Sequence, residues 1–254
     1  MRVQWPNNAA PAGAFMKQAC RHAAAAFALF CYGHAPAAPY PTEDQLRAAI
    51  ENAAQLVQAE GLDLEMLDAQ KVGLTRPLLA ARLNLTSGTC WVFYNTKAED
   101  GLTQFFETIA ATDLPVLLTA IAMHEATHCI EQREAYVRKQ FDKILPPGFR
   151  RDNATVQGYV RAVQSGALER WGEALADIVS LLYLQQAAPD RWVELAKGVA
   201  GMRRDLARKW PAHDTSHWLY KIIAAEEDAG AGAIAGQSLF ETAFQLRRKY
   251  RPRG

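Results

Sequence analysis

Three polar side chains, His124, Glu125 and His128, interrupt a stretch from Leu114 to Ile130 that is otherwise apolar apart from two threonines. Its periodicity reads as one helix, with Asp113 as N-cap and Pro115 tolerated in the first turn. A helix this apolar is buried on most of its circumference. Two imidazoles and a carboxylate carried inside with it would cost several kcal/mol unless other groups compensate them. The rest of the chain must therefore supply that compensation at one place.

The spacing says what compensates them. His124-Glu125-Ala126-Thr127-His128 is an H-E-x-x-H run. Residues four apart lie on one face of a helix, so both imidazoles can converge on a single Zn²⁺, while Glu125 reaches past it toward water. Zinc brings the pKa of such a water to about 7, and a neighbouring carboxylate can then serve as general base. On this reading His124 and His128 are metal ligands and Glu125 is catalytic.

A catalytic zinc takes three protein ligands, so a third is needed. One continuation of the motif requires Gly at 131 and His at 134, but both positions are Glu. Downstream, Glu173-Ala174-Leu175-Ala176-Asp177 offers Glu173 as ligand, with Asp177 one turn later accepting a hydrogen bond from the remote nitrogen of a ligand histidine. A frame one turn earlier would make Glu169 the ligand with Glu173 behind it. The apolar stripe Leu175, Ile178, Val179 and Leu182 favours Glu173.

H-E-x-x-H followed by E-x-x-x-D resembles the gluzincin group of zincin-like metallopeptidases, in which two helices supply His, His and Glu to one zinc. The resemblance covers these motif positions and their helices. It implies His124, His128 and Glu173 as ligands, Glu125 as base, Asp177 as orienter and a zincin-like fold. It also implies an oxyanion donor from beyond the glutamate helix. The histidines there are His213 and His217, in Pro211-Ala212-His213-Asp214-Thr215-Ser216-His217. With Asp214 or Thr215 as N-cap, His213 lies on a loop that can point across a cleft and His217 in the first turn of a helix. Tyr220 and Arg203 are lesser candidates.

Around this centre the chain is predominantly helical, an α+β architecture with a small sheet before the active-site helix. Thr42-Glu43-Asp44 caps a helix ending at Gly61, with Leu46, Ile50, Ala53 and Leu56 on its apolar face. Between Leu62 and Asp100 the pattern is irregular except for the run Cys90 to Asn95, a strand. Val72 to Leu85 supplies one or two partner strands, or a helix. Helices follow over Leu102 to Ala110, over Ala154 to Gln186 as one or as two broken at Gly166 or Gly172, and over Arg191 to Trp210, Ser216 to Asp228 and Leu239 to Tyr250. The basic tail Arg247, Arg248, Lys249, Arg251 and Arg253 reads as solvated, with no assigned function.

The N-terminal region differs. After a second methionine, Met16, come Lys17, Arg21 and His22, then the apolar run Ala23 to Tyr32 and the small-residue site Ala35-Pro36-Ala37. This is the pattern of a secretory signal, with translation starting at Met1 or Met16. Residues 1–37 are then the signal region and 38–254 one catalytic domain, periplasmic or secreted. Phe30 before Cys31 argues against lipid attachment, which wants a small residue there. The mature chain keeps Cys90 and Cys129, which export would allow to pair or which remain two buried thiols.

With 28 Lys plus Arg against 27 Asp plus Glu, the chain lacks the basic excess that nucleic-acid binding needs. No stretch reaches the roughly 18 to 20 apolar residues of a membrane span. The expected partner is a peptide or protein substrate, cleaved by a zinc metallopeptidase. Two alternatives stay open: a non-catalytic zinc-stabilised module that binds peptide or protein, and an amide hydrolase acting on cell-wall peptide.

Overall fold

The computed structural model describes residues 40–74, 78–97, 102–150, 154–229 and 238–252. The proposed export signal lies outside them. Among these residues the fold is α+β and mostly helical, with one three-stranded sheet.

Helix α1 (Glu43–Gln58) opens with the expected capping box: the Thr42 hydroxyl accepts from the Gln45 N–H, and the Gln45 side chain accepts from the Thr42 N–H. Leu46, Ala49, Ile50, Ala53 and Val57 are buried along one stripe. Leu56, expected on that face, is 39% exposed. At about 100° per residue, position 57 and not 56 stays in line with 46, 50 and 53.

The sheet consists of β1 (Leu64–Asp68), β2 (Leu79–Leu83) and β3 (Cys90–Tyr94) in the order β1-β3-β2. β3 is the strand anticipated at Cys90. β2 is its antiparallel hairpin partner, pairing Leu83 with Cys90 and Leu79 with Tyr94 across a turn in which Gly88 adopts φ 77°. β1 was not anticipated: it pairs parallel to β3, Leu64 with Cys90, and has no alternation of buried and exposed residues to reveal it. The Cys90 and Cys129 sulfurs are joined in a disulfide, with Cα atoms 5.7 Å apart, stapling β3 to the following long helix.

Helix α2 (Thr103–Glu107) is shorter than the apolar pattern suggests, and α3 (Leu114–Tyr136) is the long central helix. Asp113 does not cap α3. Its backbone is already helical and its carboxylate is 2.9 Å from the Arg191 guanidinium instead. After the short α4 (Phe141–Ile144), Gly166 at φ 74° divides the next helical stretch into α5 (Val156–Gln164) and α6 (Glu169–Ala187). Gly172 lies inside α6.

Three further helices follow, α7 (Trp192–Leu206), α8 (Ser216–Ala229) and α9 (Leu239–Lys249), with a 3₁₀ turn at Pro211–His213. α3 packs against α1, β2 and α6, while α7, α8 and α9 pack on α6. The basic C-terminal segment is not simply solvated. Arg247 is fully buried, and Arg248 and Arg251 donate to the carbonyls of Leu145 and Pro147. No helix among the described residues is long and apolar enough to cross a membrane.

Candidate metal centre

The two central helices, α3 and α6, meet face to face, and the polar residues each carries on its buried face meet there. His124 and His128, one turn apart, bring their Nε2 atoms within 3.2 Å of each other. Opposite them on α6 stands Glu173, with Oε2 3.5 Å from His124 Nε2 and Oε1 3.4 Å from His128 Nε2. One ligand atom from each of the three residues lies within 4.8 Å of the others, so the group can hold a metal ion.

The fit can be tested on Glu173 itself. The residue is 9% exposed, and its Oε2 receives no hydrogen bond of proper geometry. A buried, unsatisfied carboxylate oxygen is costly, and here it faces two imidazole nitrogens and is approached only by other polar groups. Bonding to a cation satisfies all three at once.

The remote nitrogen of His124 is fixed as well. Its Nδ1 is 2.8 Å from Asp177 Oδ1, one helical turn beyond Glu173. Asp177 is 2% exposed and has two more partners: Arg203 of α7 donates to Oδ1 at 2.6 Å, and the Thr215 hydroxyl donates to Oδ2. Arg203 also comes within 3.3 Å of Glu173 Oε2. The carboxylates of Glu173 and Asp177 thus share one guanidinium, and with neutral imidazoles this leaves an excess of negative charge that a divalent cation offsets.

Protonation follows from this crowding. Burial by itself lowers the pKa of His124, but the Asp177 carboxylate outweighs it and brings the metal-free imidazole up to about 10. Burial raises Glu173, yet the nitrogens of His124, His128 and His213 hold it well below the usual carboxylate range. Asp177 is likewise lowered against burial by the charges of Arg203 and His124. Glu125 moves the other way: burial pushes its pKa up, and the histidine charges oppose this only partly.

The centre opens into a cavity of about 730 Å³. Its polar end is formed by His124, Glu125, His128, Glu173, Arg203 and His213, and its apolar walls include Leu79, Phe105, Leu117, Ile121, Val199 and Met202. The Glu125 side chain makes no hydrogen bond or ion pair among the described residues and borders this space.

His213 reaches the centre from the 3₁₀ turn, with Nδ1 3.2 Å from Glu173 Oε2 and Nε2 3.2 Å from Glu169 Oε1. The Glu173 interaction raises its pKa despite partial burial. His217 is exposed, its ring edge on to Trp218, and does not border the cavity. Tyr220 is also exposed. Glu169 touches His213 but not the histidine pair. Glu131 and Glu134, the positions of the other motif continuation, are buried against Arg247 and Arg138. The full role of Arg203 and the contribution of Thr215 had no local signature, since both meet Asp177 only through packing of α7 and the segment before α8 against α6.

Compared with profiles of known protein families, with curated proteins and with solved structures, the chain matches none.

Proposed function

We propose that this protein is an exported zinc-dependent metallopeptidase with a zincin-like fold, its zinc held by His124, His128 and Glu173. The observation that carries the reading is the buried Glu173 carboxylate, its Oε2 without a hydrogen bond, whose two oxygens face the Nε2 atoms of His124 and His128 at the end of a cavity wide enough for a ligand. When bound, the metal supplies a Lewis acid that acidifies water and polarises a carbonyl.

The chain's own groups do the rest. Asp177 accepts from Nδ1 of His124, so that Nε2 is the atom presented toward His128 and Glu173 to bind a metal. Glu125, unpaired and with a raised pKa, takes a proton from the attacking water at its carboxylate and returns it to the leaving nitrogen. His213 and Arg203 border the same cavity with N–H groups that can donate to the developing oxyanion.

Substrate backbone has a place to lie. The Leu83 N–H donates to Gln132 Oε1 and the Cys90 N–H to Asp63 O, so neither points at the other across the β2–β3 pair. Alternation then turns the backbone groups of Leu79 and Ala81 away from β3, on the edge strand whose Leu79 and Ala80 line the cavity. An extended peptide can add to that edge.

The test is metal content and turnover together. The parent should hold about one zinc per chain and cleave members of a peptide library. Glu125→Gln should keep the zinc and lose at least 10²-fold in rate. A parent that binds zinc and cleaves nothing would leave a zinc-stabilised binding module in place of the enzyme, and a parent that takes up no zinc would remove both.

A further inference from the structure

Arg247 of α9 has the largest fully buried side chain of the described residues, and nothing in the proposed chemistry uses it. Its partners are distinctive. Nη1 donates to Glu131 Oε1 at 2.7 Å and to the backbone carbonyl of Trp171 at 2.8 Å, Nη2 donates to the carbonyl of Ile144 at 3.2 Å, and the guanidinium lies 4.2 Å from the centre of the Trp171 ring.

Two of these partners sit beside the metal-ligand positions. Glu131 is three residues after His128 and seven after His124, so it continues on α3 the same stripe that carries both imidazoles. Trp171 is two residues before Glu173 on α6. Arg247 therefore ties the ligand-bearing stripe of α3 to the backbone of α6 within one turn of Glu173. Gly172, between Trp171 and Glu173, completes the contact: a Cβ there would stand 3.0 Å from Glu131 Oε2. The absence of a side chain at 172 lets the carboxylate of α3 seat directly against α6.

Burying a guanidinium and a carboxylate seldom stabilises a fold more than an apolar pair of similar volume. What directional bonds add is register, since a slide or rotation of α3 against α6 breaks them while an apolar contact tolerates it. We propose that Arg247, acting through Glu131 and the Trp171 carbonyl, is a positioning residue for the metal centre, holding α3 and α6 in the register that sets Glu173 opposite His124 and His128. The inference rests on the reading of those three residues as a metal site.

Cobalt(II) is the probe, because its visible absorption reports the ligand geometry directly. The parent, Glu131→Met/Arg247→Met and Gly172→Ala are loaded with cobalt, and spectrum, affinity and the melting temperature of the metal-free protein are measured. The paired variant replaces the ion pair by apolar side chains of similar reach. Gly172→Ala keeps every charge and raises helix propensity, so a purely structural role predicts unchanged cobalt binding.

The expected result is a parent that binds cobalt and variants that shift its absorption bands and bind at least about tenfold more weakly. For Gly172→Ala this should occur without a fall in melting temperature. If the paired variant does not fold, Gly172→Ala decides. Parent-like spectra and affinities in the folded variants would overturn the inference and leave the metal site standing, whereas a parent that binds no cobalt would overturn both.

Discussion

His124 Nδ1 and Asp177 Oδ1 lie 2.8 Å apart, joining the first histidine of the H-E-x-x-H run to the last residue of the E-x-x-x-D run. A carboxylate behind a ligand imidazole fixes both its tautomer and its orientation. Asp177→Ala should therefore weaken zinc binding by about 10–100-fold although Asp177 is not itself a ligand. Competition with a chelator of known affinity measures this, and a change of less than twofold would refute the orienting role.

His213 and His217 separate cleanly in space, one bordering the cavity and the other exposed beside Trp218. His213→Ala should keep the zinc and lower the hydrolysis rate by about 10²–10³-fold, the effect of removing one oxyanion donor. His217→Ala should leave the rate unchanged. Equal effects of the two substitutions on kcat would contradict the assignment.

The metal-free protein should have a narrow pH window of stability. His124 rises on folding from 6.5 to about 10, so its stabilising interaction is complete below about pH 6.5 and is lost as pH climbs toward 10. Glu173 and Asp177 are held below their ordinary values of 4.5 and 3.8, so theirs is present above those values and is lost as pH falls through the lowered ones. Thermal melts in chelator should fall between pH 6 and 9. Bound metal requires neutral His124 and should remove most of that decline. A chelated protein whose melting temperature is flat or rising over this range would count against the Asp177–His124 pair.

The Cys90–Cys129 disulfide closes a loop of 39 residues and ends one residue past His128. In the chain-entropy view, a crosslink over that length stabilises by about 4 kcal/mol. Reduction, or Cys90→Ser with Cys129→Ser, should lower the melting temperature accordingly. The same melting temperature with and without reductant, once free thiols have been counted, would show that the crosslink contributes nothing.

Local pattern was enough for much of this molecule. Fixed helical geometry places residues four apart on one face, so His124 and His128 had to converge and Glu173 and Asp177 had to stack one turn apart. Capping chemistry marked the start of α1 at Thr42, and the β-branched and aromatic run marked β3. Whatever depends on residues distant in the chain was decided by packing. β1 carries no alternation and exists because β3 offers it an edge. Asp113 has the composition of a cap, but Arg191 draws its carboxylate into an ion pair. The apolar stripe of α6 already pointed to Glu173 over Glu169, but only the packing of α6 on α3 brings its carboxylate up to the two histidines. Arg203 reaches Asp177 only because α7 folds back on α6, and Arg247, one of five basic residues near the C-terminus, becomes the most buried cation of the described chain because α9 docks where α3 and α6 meet. Periodicity carries information over a few turns of one helix, whereas the distance between two helices is set by all the side chains packed between them.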